Sequence, residues 1–287
     1  MKPQLYLGLL TICLPAASSI SASSPVEESQ AHPHMVGQEA AERIALAETA
    51  TLAPRDPRKL EARQRLAAVE NDLAVLLQTC GRYSEAERLL SHSRSVFEMK
   101  SGTQTAELAA VLNNLGSVLI WERRYEQAEP VLCEALRITE RLQPQKATAL
   151  ADMLDNLAIV RQQTGRPKEA DQLFGRAIAI LEGTVPSDDS KLAVALENRA
   201  ILISILGRYE ESEVLFRRSL DLFERSFGRD SPRVAGVLQQ YAILLRKMKR
   251  KKEAKRLEHR VVTIKSVDKE QREVSLTVDV NGLRRTK

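Results

Sequence analysis

Histidine and cysteine are the side chains most often recruited for metal and nucleophilic chemistry, and this 287-residue sequence holds four histidines and three cysteines. His32, His34 and Met35 cluster around Pro33, a set that suits copper or nickel. Two imidazoles on a polar leader are nevertheless fewer ligands than a stable site needs. His92 and His259 have no acidic or cysteine neighbour at metal-ligand spacing, so no metal and no cofactor is expected. Phosphate-binding G-x-x-x-x-G-K-[ST], nucleophile-elbow G-x-S-x-G, zinc-protease H-E-x-x-H and dinucleotide-binding G-x-G-x-x-G are all missing. Carboxylates are plentiful, but their places at helix starts and exposed faces already have a structural explanation. The sequence therefore predicts no catalytic residues. Cys80 and Cys133 form no disulfide framework and read as small buried apolar residues.

The charge pattern narrows the partners. A net charge of +5, spread among many acidic residues, is far from a nucleic-acid footprint, so no nucleic acid is expected. Lys247, Lys249, Arg250, Lys251, Lys252, Lys255, Arg256 and Arg260 form a basic cluster near the C-terminus. Such runs usually form solvated faces, so the cluster is read as a solubilising cap rather than a contact for an anionic surface.

The N-terminal stretch has its own layout. Lys2 precedes an apolar run over residues 5–14, too short to span a bilayer. Pro15 and small residues follow at 16–24. Basic, apolar and small-residue regions in that order predict a signal peptide over residues 1–22, hence an exported, periplasmic or secreted chain. Ile12 before Cys13 fits a lipid-attachment site poorly, and no other segment is apolar enough to be a transmembrane helix. Residues 23–36 are polar with two prolines and are expected to be disordered.

Positioning comes from a repeat. Leu66, Leu108, Leu150, Leu192 and Val234 are spaced by 42 residues. The same step links Ala74, Gly116, Ala158, Ala200 and Ala242, and then Ala86, Ala128, Ala170, Ser212 and Ala254. Gly81, Gly165 and Gly207 stand where Arg123 and Lys249 stand in the other copies. Each unit reads as two helices. Glycine ends the first by adopting a left-handed conformation, and acidic residues (Glu85, Glu126, Glu169, Glu210) open the second beside its positive end. Small residues on both helices allow close approach. A single hairpin cannot bury its apolar stripe, whereas a stack can. The expectation is an all-α, right-handed α-solenoid of about five helix-turn-helix units over residues 66–265. Residues 37–65 hold an N-terminal capping helix (periodic over 38–53) and the start of the first unit. In the fifth copy Glu258 replaces an apolar residue, which suits a terminal cap. Over the tail, 266–287, Val274, Leu276, Val278 and Val280 alternate and predict an extended segment.

The units resemble tetratricopeptide repeats, in the long variety found in kinesin light chains. The likeness rests on Leu112-Asn113-Asn114-Leu115-Gly116, the turn Gly207-Arg208-Tyr209 with Glu210 and Glu211, Arg218-Ser219-Leu220, and the linker Phe227-Gly228-Arg229-Asp230-Ser231-Pro232. It covers residues 66–264. The resemblance implies that the first helix of each unit lines a concave groove where ligands bind. By register the lining includes Asn71, Asn113, Asp155, Glu197 and Gln239, and one turn later Val75, Ser117, Ile159, Ile201 and Ile243. Trp121 and Asp152 fall on the same face. Asparagine suits a peptide backbone because it carries both donors and an acceptor. Asp155 and Glu197 replace the family's usual Asn, so the groove centre should be acidic and favour a basic or mixed ligand. What the resemblance implies is a non-catalytic module binding a peptide or partner protein. The other reading is an assembly protein self-associating through its stack ends or tail.

Overall fold

The computed structural model describes residues 25–52, 56–99, 105–142, 147–184 and 188–283. Residues 1–22, the expected signal peptide, lie outside them. The described residues form eleven helices and no strand: α1 (Pro25–Glu48), α2 (Pro57–Thr79), α3 (Tyr83–Glu98), α4 (Ala106–Trp121), α5 (Tyr125–Leu142), α6 (Ala147–Gln163), α7 (Pro167–Glu182), α8 (Asp189–Ile205), α9 (Tyr209–Phe227), α10 (Pro232–Lys247) and α11 (Lys251–Leu283). From α2 onward they pair as five hairpins, each packed on the next. The all-α solenoid expected from the repeat is therefore present.

Local chemistry sets each boundary. Asp56, Thr105, Asp188 and Ser231 cap α2, α4, α8 and α10 by accepting backbone N–H groups of the first turn. The hairpin turn is the same in every copy. Residues 82, 124, 166, 208 and 250 each return an N–H to a carbonyl five residues back, at 2.8–3.1 Å. That closure requires a left-handed residue just before it. Gly81, Gly165 and Gly207 supply it at φ 74°, 80° and 79°, but Arg123 and Lys249 are held there too, at 60° and 63°. A side chain in that conformation costs about 1–2 kcal/mol, so two of the five turns form against their residue's preference.

The small-residue positions are the tightest points of the stack. Ala74, Ala158, Ala200 and Ala242 are buried, as are Ala86, Ala128, Ala170, Ser212 and Ala254 opposite them. At Gly116 the approach is closer still, because an added Cβ would lie 2.4 Å from Leu132 Cδ2. Leu112, Leu154, Leu196 and Leu238 fill the seam between hairpins and are fully buried. Burial of each contributes about 1.5–3 kcal/mol.

Curvature follows from the contacts. The backbones of successive first helices (α2, α4, α6, α8, α10) approach one another closely, whereas successive second helices meet only through long side chains. The layer with closer neighbours lies on the inside of the bend, so the first helices form the inner layer and the second helices the outer one.

The ends differ from the sequence expectation. Helix α1 starts at Pro25, so the leader expected to be disordered over 23–36 is helical from residue 25. Proline is suited to a first helical turn. Helix α2, which opens the first unit, begins at Pro57. Helix α1 packs on α2, where Glu70 occupies the place held by the seam leucines of later copies. Glu70 is 3% exposed, bonded to His92 Nδ1 and facing Arg43 of α1 at 3.8 Å. His92 thus has an acidic neighbour that linear spacing did not reveal. At the other end the tail is helix rather than extended chain, since α11 runs to Leu283. An isolated strand would leave its backbone unpaired, whereas a helix satisfies its own. No glycine or proline interrupts residues 251–281, and 269–273 are strong helix formers. Cys80 is exposed rather than buried, and Cys133 is half-buried with burial pushing its thiol up.

Candidate functional site

The inner layer gathers the groove residues by register, and hydrogen bonds tie several of them into the stack. Asn114 Nδ2 donates to Asn71 Oδ1 at 2.9 Å, and Asn156 Nδ2 donates to Asn113 Oδ1 at 3.0 Å. Asn198 Nδ2 repeats the pattern by donating to Asp155 Oδ2 at 2.7 Å. Each bond spans 43 residues, so one amide from each of α4, α6 and α8 reaches back to the previous first helix. Asn113, read from the sequence as a groove residue, forms one buried pair with Asn156. Ser117 is likewise buried and accepts from Gln78 Nε2 at 2.7 Å. Ile159 is packed into the core, and Trp121 stacks on Tyr83 with ring centroids 5.6 Å apart. Among the described residues the Trp121 Nε1 is buried without a hydrogen-bond partner. Asn113, Ser117, Ile159 and Trp121 thus hold the first three hairpins together, whatever else they contact.

The centre is different. Asp152 and Asp155 stand one turn apart on α6, and Glu197 and Lys191 come from α8. Lys191 Nζ pairs with Asp152 Oδ2 at 2.6 Å, while burial holds the Asp152 carboxyl above its usual range despite that partner. Asp155 is 8% exposed, and its Oδ1 is buried without a hydrogen-bond partner among the described residues. Burial, with smaller contributions from Asp152 and Glu197, pushes its carboxyl up to about 7 against the opposing bond from Asn198. Glu197 is buried beside it. The acidic centre anticipated from the sequence is therefore a sunken carboxyl group cluster, with Lys191 and Asn198 built into it; neither of these was singled out by register.

Toward the C-terminal end the inner face becomes apolar and open. Ile201 is half-buried, Ile243 is 38% exposed and Ile205, which shares the register of Trp121, is 50% exposed. Gln239 lies half-buried on α10 beside them. Ile205 could have been found by following the 42-residue step from Trp121.

The outer layer carries a regular feature that linear reading missed. Arg124 pairs with Glu87, Arg166 with Glu129, Arg208 with Asp171 and Arg250 with Glu213, always 37 residues apart. These long side chains bridge successive second helices whose backbones stay apart. Arg260 adds a bond to Glu224, so Arg250 and Arg260 of the basic cluster are fastened into the stack, while Lys251, Lys252, Lys255 and Arg256 are exposed. The histidines at 32 and 34 have side chains outside the described ones. Among the described residues no group of three or more His, Cys, Asp or Glu is placed to hold a metal, and no helix is long and apolar enough to cross a membrane.

Comparison with known proteins places this arrangement. The sequence pattern described as the tetratricopeptide repeat matches residues 65–141, 107–183 and 191–266. Sequence comparison with characterised proteins gives no significant match. Among solved structures the chain is similar to BtubC (BKLC) from P. vanneervenii, with a TM-score of 0.63 at 18% identity over 82% of this chain and 92% of that one. It is also similar to a putative kinesin light chain of Podosopora anserina with nearly identical repeats (TM-score 0.56, 17% identity, 70% and 95% covered). A third is Bacillus thuringiensis PlcR, solved with the peptide PapR7 and DNA (TM-score 0.58, 12% identity, 85% and 97% covered). At these identities the likeness is one of fold.

Proposed function

The chain belongs to the tetratricopeptide repeat family, and on that premise we propose that it is a non-catalytic scaffold holding a peptide or partner protein against its inner face. The observation that carries this reading is the exposed isoleucine shelf at Ile205 and Ile243, beside buried carboxyls, on the concave side of the stack. Apolar side chains flanked by polar groups on a concave surface are what a binding groove requires. PlcR, of similar fold, was solved with a peptide, and a Rap protein with competence and sporulation factor; these support the class of function, not the partner. The layout of residues 1–22 supports export, so the partner is to be sought among periplasmic or secreted proteins. N-terminal sequencing of the mature chain tests that, since an intact Met1 contradicts it.

Site-specific photocrosslinking tests the groove. A photoreactive residue at Ile243, on the inner face, should capture a partner in extract from the source cells, and one at Val214, on outer helix α9, should not. Capture at Val214 alone would move binding to the outer face. A second reading, assembly, has one supporting observation: α11 has 33 residues against the 16 of α10 and outruns the helix it packs on. Light scattering on the full chain and on a chain ending at 265 separates the two. A monomer in both forms ends the assembly reading.

A further inference from the structure

We propose that the partner segment carries a lysine or arginine side chain that settles over Asp152, Asp155 and Glu197, followed by a bulky apolar residue on the shelf of Ile201, Ile205 and Ile243. This rests on the groove reading and specifies the chemistry of its occupant. The first argument is a comparison of rungs. Positions 71, 113 and 155 all accept the amide of the next first helix, and the neutral Asn71 and Asn113 serve that purpose fully. At Asp155 a carboxyl does the same task while leaving Oδ1 buried and unpartnered among the described residues. An asparagine would fit the seam without that desolvated charge, so the seam does not explain the acid.

Charge balance supplies the second argument. Asp152, Asp155 and Glu197 place three carboxyls at the junction of α6 and α8, and Lys191 from α8 is bound to Asp152. A further positive group would lower the cost of ionising Asp155. It need not touch Oδ1, because an opposite charge within about 4–6 Å already favours the ionised form. The third argument is adjacency. Ile201 follows Glu197 by one helical turn and Ile205 by two, so a chain crossing the acidic centre reaches the shelf within a residue or two. The occupant is thus an extended segment with a cation next to an aliphatic or aromatic side chain.

The test is selection of a random peptide library on the full-length chain, with Ile243→Glu and the double variant Asp155→Asn/Glu197→Gln alongside. Both variants are checked for helicity, and Asp155→Asn is expected to fold at least as well as the native chain. Selected peptides should be enriched in Lys or Arg beside a bulky apolar residue. A synthetic peptide of that pattern should bind the double variant about tenfold or more weakly and lose binding to Ile243→Glu. Peptides that depend on Ile243 but show no cation preference, or bind the double variant unchanged, overturn this inference and leave the groove reading intact. A library yielding no peptide that depends on Ile243 overturns both.

Discussion

The outer seam at α9–α11 and the inner seam at α6–α8 each hold one acidic residue that is only 8% exposed, Glu213 and Asp155, yet their acidities move in opposite directions. Burial opposes ionisation of Glu213, but bonds from Arg250 and Tyr241, with Arg217 at the same oxygen, hold it below its ordinary value. The Asp155 carboxyl lies deeper, receives a single amide in return and rises to about 7. Burial alone does not mark a functional acid. The marker is burial without the partners that the rest of the stack supplies at equivalent places.

Removing Glu213 should have the largest effect. Glu213→Ala removes the acceptor of the Tyr241 hydroxyl and one of the two carboxylates that hold Arg250, which keeps Glu253, and the lost charge-assisted bonds should destabilise the C-terminal hairpin by about 3–5 kcal/mol. Hydrogen exchange should show α10 and α11 opening first, as expected where each hairpin depends on its neighbour. Because folding lowers its pKa, the stabilisation Glu213 gives is present above its ordinary value of 4.5 and is lost as pH falls through the folded value.

Asp155→Asn should act the other way, raising stability by roughly 2–4 kcal/mol at pH 8. The folded value near 7 lies above the ordinary 3.8, so the native chain is most stable below about pH 4 with respect to this group and loses that stability as pH rises through 7. Thermal melts from pH 5 to 8 should slope downward for the native chain and less so for the variant. An equal slope in both would remove the contrast between the two seams.

Asn156→Ala tests the neutral rung. It leaves the buried Asn113 Oδ1 unpaired and should cost about 1–3 kcal/mol with little dependence on pH. The smallest effect is expected from Arg166→Ala, because Arg161 also reaches Glu129. A loss of about 0.5–1 kcal/mol that shrinks in high salt would fit a partly exposed ladder. A loss as large as that of Glu213→Ala would show that the ladder acts as one network.

The 42-residue step made the hairpins, their turns and their small seam positions legible, because each is a local requirement repeated at one register. The outer ladder was equally periodic, with Arg124, Arg166, Arg208 and Arg250 each 37 residues after its acid, but nothing local marks two residues at that separation as partners until the helices are packed. The acidic centre was read from Asp155 and Glu197. Its depth, and the ties to Lys191 and Asn198, depend on how α6 meets α8. The bond from Asn156 to Asn113 went unread for the same reason: an inward-facing amide reads identically whether it meets a ligand or the next helix. The tail was misread because alternation over Val274–Val280 signals a strand only where a neighbouring strand exists to complete it.

The most direct measurement is a carbon-13 NMR titration of the Asp155 side-chain carboxyl, first in the free chain and then with a selected cationic peptide bound. A midpoint near 7 that falls when the peptide binds is the predicted result. A midpoint near the ordinary 3.8 in the free chain, unmoved by the peptide, would contradict the claim that this acid is kept for a charged guest.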